Sequence, residues 1–255
     1  MSRFVKLERL DPYTLFGSVL RRSRLAMKAA YDEAFAAHHR CTELFREHQW
    51  ASFDDARGPF SVASQIAGAL PQQRRSKEEL DQMFVDAQAE DLQADYQASI
   101  VVLFADDTFQ RFAGGVLGKG PGLNPGYGPT YGGGVQLTTL LRAGTNTIRH
   151  VSEWDDSSLP FPYPDPSTLP KKSPWRQPME SITVIQRAFG IGIHERIRDV
   201  VSMRVIVAVD GKLGTEPTDY TRFEAAIVQA AREIAAEVDS RKAASKASAR
   251  LDAAL

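Results

Sequence analysis

Apolar residues recur at helical spacing along most of the chain, and this pattern predicts an all-α protein built from long helices. Residues 11–50 form the first such segment, where Asp11 can cap the first turn and Pro12 suits the first helical position. Small residues dominate its apolar surface after the first turns, among them Ala30 and Ala34. A second helix can therefore pack closely against this one.

A second long helix is predicted to begin at Ser76. The sequence SKEE is a capping box, in which Ser76 accepts hydrogen bonds from the first turn and Glu79 accepts one from the cap backbone. Apolar positions continue at helical spacing to Phe112 or slightly beyond, which corresponds to a helix about 55 Å long. The acidic pair Asp106-Asp107 offers an alternative, a break into two shorter helices.

Three more helices follow from the same periodicity, at 135–154, from Pro178 onward and at 220–239. One stretch departs from it, because the β-branched residues near 203–209 favour one short β element. We therefore predict an antiparallel bundle of long helices that forms one mainly helical domain over 1–255. Its parts are a helical body at 1–155, a proline-rich connector at 156–178 and a C-terminal helical part at 179–255.

Two segments rich in helix-breaking residues separate these helices. Residues 114–134 hold ten of the eighteen glycines, which favours a flexible lid or connector. We do not expect a phosphate-binding loop, because the segment contains no GxxxxGK pattern followed by Ser or Thr. Seven of the fourteen prolines lie between 155 and 178, and Phe161, Tyr163 and Trp175 favour a strap across the body over a solvated linker.

Composition and charge indicate where the protein functions and which partners it binds. The net charge of −1 gives no overall attraction to nucleic acid or to an anionic membrane. Cys41 is the only cysteine, and neither a signal peptide nor a membrane span is evident, so we expect a cytoplasmic protein. Charge is nevertheless uneven: 3–28 is basic and 78–95 is acidic. These segments form two solvated faces, or they pair within the fold or between subunits.

The helix at 135–154 carries the most unusual set of polar residues. One face, spanning roughly 80°, carries apolar residues and glycine, and we expect it to be buried. Its residues are Leu137, Leu141, Gly144, Ile148 and Val151. The opposite face, spanning roughly 60°, carries polar residues, with His150 to one side: Arg142, Asn146, Arg149 and Glu153. Either this is a solvated face with an Arg149–Glu153 ion pair, or it is a functional site.

This helix resembles the HEPN superfamily, whose members are all-α and usually dimerise. The family signature is Arg, then commonly Asn, Asp or His, a few variable residues and His; the segment NTIRH, from Asn146 to His150, is similar to its latter part. The chain departs from the signature at Thr145, where the family has Arg. The nearest arginines are Arg142 and Arg149.

The resemblance implies a metal-independent endoribonuclease that acts as a toxin or anti-phage defence effector on an RNA substrate. It further implies that the protein forms a homodimer, has an antitoxin or a defence-system partner, and needs no cofactor. In that reading His150 is the acid/base, Arg142 and Arg149 hold the phosphate, and Asn146 orients the ribose or the imidazole. The alternatives are a non-catalytic helical interaction or dimerisation protein that uses the 142–153 face, and an RNA-binding module.

Other candidate sites are weaker. The segment GIHERIR lacks the second histidine of a zinc-protease helix, because Arg198 stands there; His194 and Arg198 could instead join a phosphate-binding surface. His48 lies too far along the helix from His38 and Cys41 for all three to bind one zinc ion. A nucleophilic Cys41 would need a basic neighbour at hydrogen-bond distance. We therefore predict no metal site.

Overall fold

The structure, a computed structural model, describes residues 12–57, 76–118, 126–150, 160–190, 201–210 and 219–252. Six α-helices and one short hairpin account for most of these residues, which confirms the predicted all-α class. Two stretches lie outside the described residues: 62–70, whose apolar residues predict a short helix that Pro71 ends, and GIHERIR at 192–198. Within the described residues, no helix combines the length and apolarity needed to cross a membrane.

Helices α1 (Pro12–Arg57) and α2 (Lys77–Leu117) form a long antiparallel pair. Phe16 of α1 packs against Phe112 near the end of α2, whereas Arg40 contacts Glu90 near its start. Small residues line the buried side of each helix, which allows the two backbones to approach closely: Ala30, Ala34 and Ala37 on α1, and Ala87, Ala94 and Ala98 on α2.

Helix α2 begins and ends as local sequence dictates. The Ser76 side chain accepts from the backbone of Glu79, and the Glu79 carboxylate accepts from the backbone of Ser76, which confirms the capping box. The helix continues without interruption through Asp106 and Asp107 to Leu117. Gly118 then adopts a left-handed conformation with φ 76°, which suits a residue without a side chain at a helix end.

The described part of the glycine-rich segment forms a short hairpin and packs against the helices. Strands β1 (Thr130–Tyr131) and β2 (Val135–Gln136) pair antiparallel, with Thr130 opposite Gln136. A Cβ on Gly128 would lie 2.7 Å from that of Ala230, and one on Gly132 would lie 2.2 Å from the Ala188 carbonyl oxygen. These two glycines therefore permit close packing, because a side chain at either position would collide with a neighbour.

The remaining helices pack around α3 (Leu137–His150), which contacts α2, α4, α5 and α6. These are α4 (Arg176–Phe189), α5 (Val201–Asp210) and α6 (Tyr220–Asp252). Helix α6 buries the predicted stripe of Phe223, Ile227, Ala230, Ile234 and Val238. It also extends beyond 239, so most of the alanine- and lysine-rich end continues this helix.

The predicted short β element near 203–209 is wrong, because this stretch lies within helix α5. Its β-branched residues favour a strand only where another strand can pair with them. Here Val205 and Ile206 are fully buried among helices. Tertiary packing therefore overrides the local preference.

The described part of the proline-rich segment contacts the adjoining helix α4, and none of residues 160–175 is fully buried. Residues Pro166–Thr168 form one short 3-10 turn, and Asp165 accepts a hydrogen bond from the Ser167 backbone at 2.8 Å. Arg176 at the start of α4 donates to the Leu169 carbonyl at 3.3 Å. Phe161 and Tyr163 pack edge to face.

A carboxylate from α2 caps the start of α5. Asp95 accepts a hydrogen bond from the Met203 backbone N–H at 3.1 Å, and its neighbour Ser99 lies 2.8 Å from the Ser202 hydroxyl. Burial is the largest effect on Asp95 and raises the pKa of its carboxyl, although the N–H groups of Met203 and Ser202 oppose that shift. The cap thus joins two helices that are distant in sequence.

We predict that Asp95→Asn is tolerated and that Asp95→Ala is not. The amide keeps an acceptor for the Met203 N–H, whereas alanine removes it and should cost about 1 kcal/mol of unfolding free energy. Because the pKa of the Asp95 carboxyl is higher in the folded than in the unfolded protein, its protonation stabilises the fold at pH values below the unfolded-state pKa. This stabilisation is lost as the pH rises through the folded-state pKa. The free energy of unfolding, measured in urea, should therefore be higher for Asp95→Asn relative to the wild type at pH 7 than at pH 4. A difference between the two proteins that does not change with pH would contradict this prediction.

Candidate functional site

Helix α3 is enclosed by the rest of the fold, and this enclosure decides what its polar residues do. Ten of its fourteen residues are buried, including four threonines and Asn146. Gly144 lets Val102 of α2 and Val205 of α5 approach it closely. The alternative of a solvated face is therefore wrong at Asn146, which is only 5 % exposed.

Arg142 is tied to α2 by a buried carboxylate. Its Nη1 donates to Oδ2 of Asp106 at 3.1 Å, and Asp106 is only 1 % exposed. Gln110, one turn along α2, donates to the other carboxylate oxygen at 3.2 Å. The guanidinium therefore neutralises a charge within the protein, which reduces its capacity to hold a phosphate from solvent.

Asn146 is tied to α4 by a buried hydrogen bond. Its Nδ2 donates to Oγ of Ser181 at 3.0 Å, and both residues are buried. The amide thus links two helices. This contact accounts for the presence of asparagine, a weak helix former, in the middle of α3.

Arg149 and His150 occupy the last turn of α3. Arg149 is exposed and His150 is half-buried. Positive charge in this position interacts favourably with the negative end of the helix dipole. The predicted Arg149–Glu153 ion pair lies outside the described residues, because Glu153 is not among them.

The four predicted site residues therefore have separate surroundings. Arg142 joins Asp106, Asn146 joins Ser181, and Arg149 and His150 lie at the end of the helix. The partners Asp106 and Ser181 were not among the predicted site residues. A signal for Asp106 exists in the sequence, since it directly follows the apolar run 98–105; none distinguishes Ser181 from other serines.

A second polar cluster holds the glycine-rich segment against α6. The Tyr127 hydroxyl donates to Glu237 at 2.5 Å, and the Gly128 backbone N–H donates to Glu233 at 2.6 Å. Burial, together with the Glu237 carboxylate, raises the pKa of Tyr127 to about 12. The phenol therefore stays protonated as a hydrogen-bond donor near neutral pH.

Cys41 and the nearby histidines do not form a reactive or metal-binding site. Burial, with Asp91 and Glu90 nearby, raises the pKa of the Cys41 thiol to about 11, so the thiolate is scarce at neutral pH. Over the residues whose placement is described, no group of three potential ligands could hold a metal ion. His194 and Arg198 lie outside those residues.

The outer face of α2, defined here by Val85, Leu92 and Tyr96, is the most unusual surface of the described protein. These side chains are 53 %, 73 % and 64 % exposed. At 100° per residue they fall within about 40° of one another, opposite the buried Ala94. From 78 to 110 the sequence has nine acidic residues and no lysine or arginine. The helix thus presents apolar side chains in an acidic setting.

Comparisons with family models, with curated proteins and with solved structures give no match to this chain. Arg142 and Asn146 of α3 make contacts inside the protein, whereas the outer face of α2 presents apolar groups to solvent.

We predict that Arg142→Met destabilises the protein by roughly 3 kcal/mol, because Asp106 would remain buried without its cation. Arg111→Met is a matched control, since Arg111 is exposed and pairs with Asp107 on the surface of α2; its effect should be below about 1 kcal/mol. The double variant Asp106→Asn/Arg142→Met should recover much of the loss. Urea unfolding measures all three, and equal effects of Arg142→Met and Arg111→Met would refute this role for the buried pair.

Proposed function

We propose that this chain is a non-catalytic helical interaction protein that binds another protein through the outer face of α2. The observation that carries the proposal is the joint exposure of Val85, Leu92 and Tyr96 on the side of α2 opposite its core. Single exposed apolar residues are ordinary on soluble proteins, but an aligned set within one stripe is typical of contact surfaces.

The energetics support binding at this face. Burial of a leucine-sized side chain contributes roughly 1.5–3 kcal/mol, and tyrosine is among the residues that most often dominate binding energy. Exposed acidic residues on either side of Val85, at Asp81 and Asp86, favour a partner with basic groups around an apolar centre. Such a partner would associate faster at low salt than at high salt.

The arrangement of α3 also favours this function over catalysis. Two of the four residues that the ribonuclease hypothesis requires, Arg142 and Asn146, form interhelical contacts. Each contact joins α3 to a different neighbour and satisfies a buried polar group. Structural support explains the polar residue at each of these positions without a substrate.

We predict that a photoreactive phenylalanine analogue in place of Leu92 crosslinks to a protein partner in cells that make this chain. Leu92 is 73 % exposed, so the replacement should leave the fold intact. The same analogue in place of Arg232, an exposed residue of α6, provides the control. Discrete adducts at position 92 are expected on electrophoresis. Adduct yields no higher at 92 than at 232 would refute the proposal.

A second candidate function, a HEPN-like endoribonuclease acting in toxin–antitoxin or defence systems, rests on Arg149 and His150. These neighbours lie at the end of α3, one exposed and the other half-buried. An imidazole can transfer the ribose 2′-hydroxyl proton while a guanidinium binds the phosphodiester. A homodimer could supply two such pairs to one cleft.

For this second function we predict that His150→Ala abolishes cleavage of single-stranded RNA and that EDTA leaves the cleavage unchanged. His39→Ala is the matched control, because the His39 side chain is 70 % exposed on α1, a different helix. Gel analysis of end-labelled RNA provides the measurement. An inactive wild-type protein, or equal activity of the wild type and His150→Ala, would exclude this chemistry.

A further inference from the structure

A surface on α1 has basic residues around an apolar centre, which is the combination that a partner of the outer face of α2 needs. We call it the α1 basic patch and define it by Arg21, Arg22 and Leu25. All three residues are exposed. Leu25, at 80 %, is the most exposed large apolar side chain among the described residues. The two arginines precede Leu25 by about one helical turn and flank it on either side.

The same combination occurs on α2 with the opposite charge. Val85 lies between Asp81 and Asp86, both exposed, and Leu92 follows two turns later. Each surface therefore has an apolar centre with charged residues at its edges. Contact between them would bury apolar area and bring each charge near one of opposite sign.

The two surfaces cannot meet within one molecule. Ser23, beside the α1 basic patch, lies 3.1 Å from Thr108 near the end of α2. Val85 lies 23 residues before Thr108 in the same helix, a separation of roughly 35 Å. Leu25 also points away from α2, since it lies nine residues, or about 180°, from the buried Ala34. The acidic segment instead meets α1 at Arg40.

We propose that a second copy of this chain is the partner, with the α1 basic patch of one copy bound to the outer face of α2 of the other. This proposal rests on the proposed function and names its partner. A symmetric contact between two α2 helices is disfavoured, because it would place acidic residues opposite acidic residues. Complementary surfaces on one chain are always present in equal amounts.

The contact joins two different surfaces, so it is heterologous. A heterologous contact leaves one unused surface of each kind at the ends of an assembly, which then closes into a ring or grows as a chain. Its charge pairs are exposed at the edges, so association should weaken as ionic strength rises.

Charge reversal on the full-length protein tests the proposal by sedimentation velocity over a range of concentrations. The wild type should associate, more strongly in 50 mM than in 500 mM salt. Arg21→Glu/Arg22→Glu and Asp81→Lys/Asp86→Lys should each weaken association by at least about ten-fold. A mixture of the two variants should associate again, because each then offers the surface that the other needs.

The control is Arg232→Glu/Lys242→Glu, which makes the same change in charge as Arg21→Glu/Arg22→Glu but at two exposed positions of α6. It should associate as the wild type does. Rescue in the mixture would also show that both variants fold. A monomeric wild type, unaffected association of either variant, or a mixture that stays dissociated would overturn the proposal. Crosslinking from position 92 to a different protein would then preserve the proposed function, whereas its absence would remove both.

Discussion

A buried polar side chain is stabilised when it has a hydrogen-bonding partner inside the protein. Ten of the fourteen residues of helix α3 are buried, and α2 and α4 supply partners for two of its polar side chains. Asp106 meets Arg142 and Ser181 meets Asn146. These contacts join α3 to two neighbours and set where those helices lie. The unusual polar content of α3 thus follows from its central place in the bundle.

The α1–α2 pair imposes the second constraint. Small residues allow the two long helices to pack closely and antiparallel, which separates the basic part of α1 from the acidic part of α2. Neither charged surface can neutralise the other within one molecule. The exposed apolar and charged groups are therefore at the outside of the pair, while Arg142 and Asn146 make contacts inside the bundle.

The all-α class and the positions of most helices could be predicted, because amphipathic spacing and capping signals are local. The capping box at Ser76 and the buried stripe on α6 both form as the local sequence predicts. Two errors share one cause. A helical wheel assumes a single buried face, which fails for Asn146, and β propensity assumes a pairing strand, which Val205 and Ile206 lack. Both outcomes depend on packing between distant segments.

The central claim is that Arg142 and Asn146 of α3 support the fold by contacts with neighbouring helices. Hydrogen exchange of the Asn146 side-chain amide, followed by NMR, tests it most directly. Because this amide donates to Ser181 in a buried setting, its exchange should be as slow as that of backbone amides in the middle of α3. Exchange at the rate of a free primary amide would show that Asn146 is open to solvent and would contradict the account.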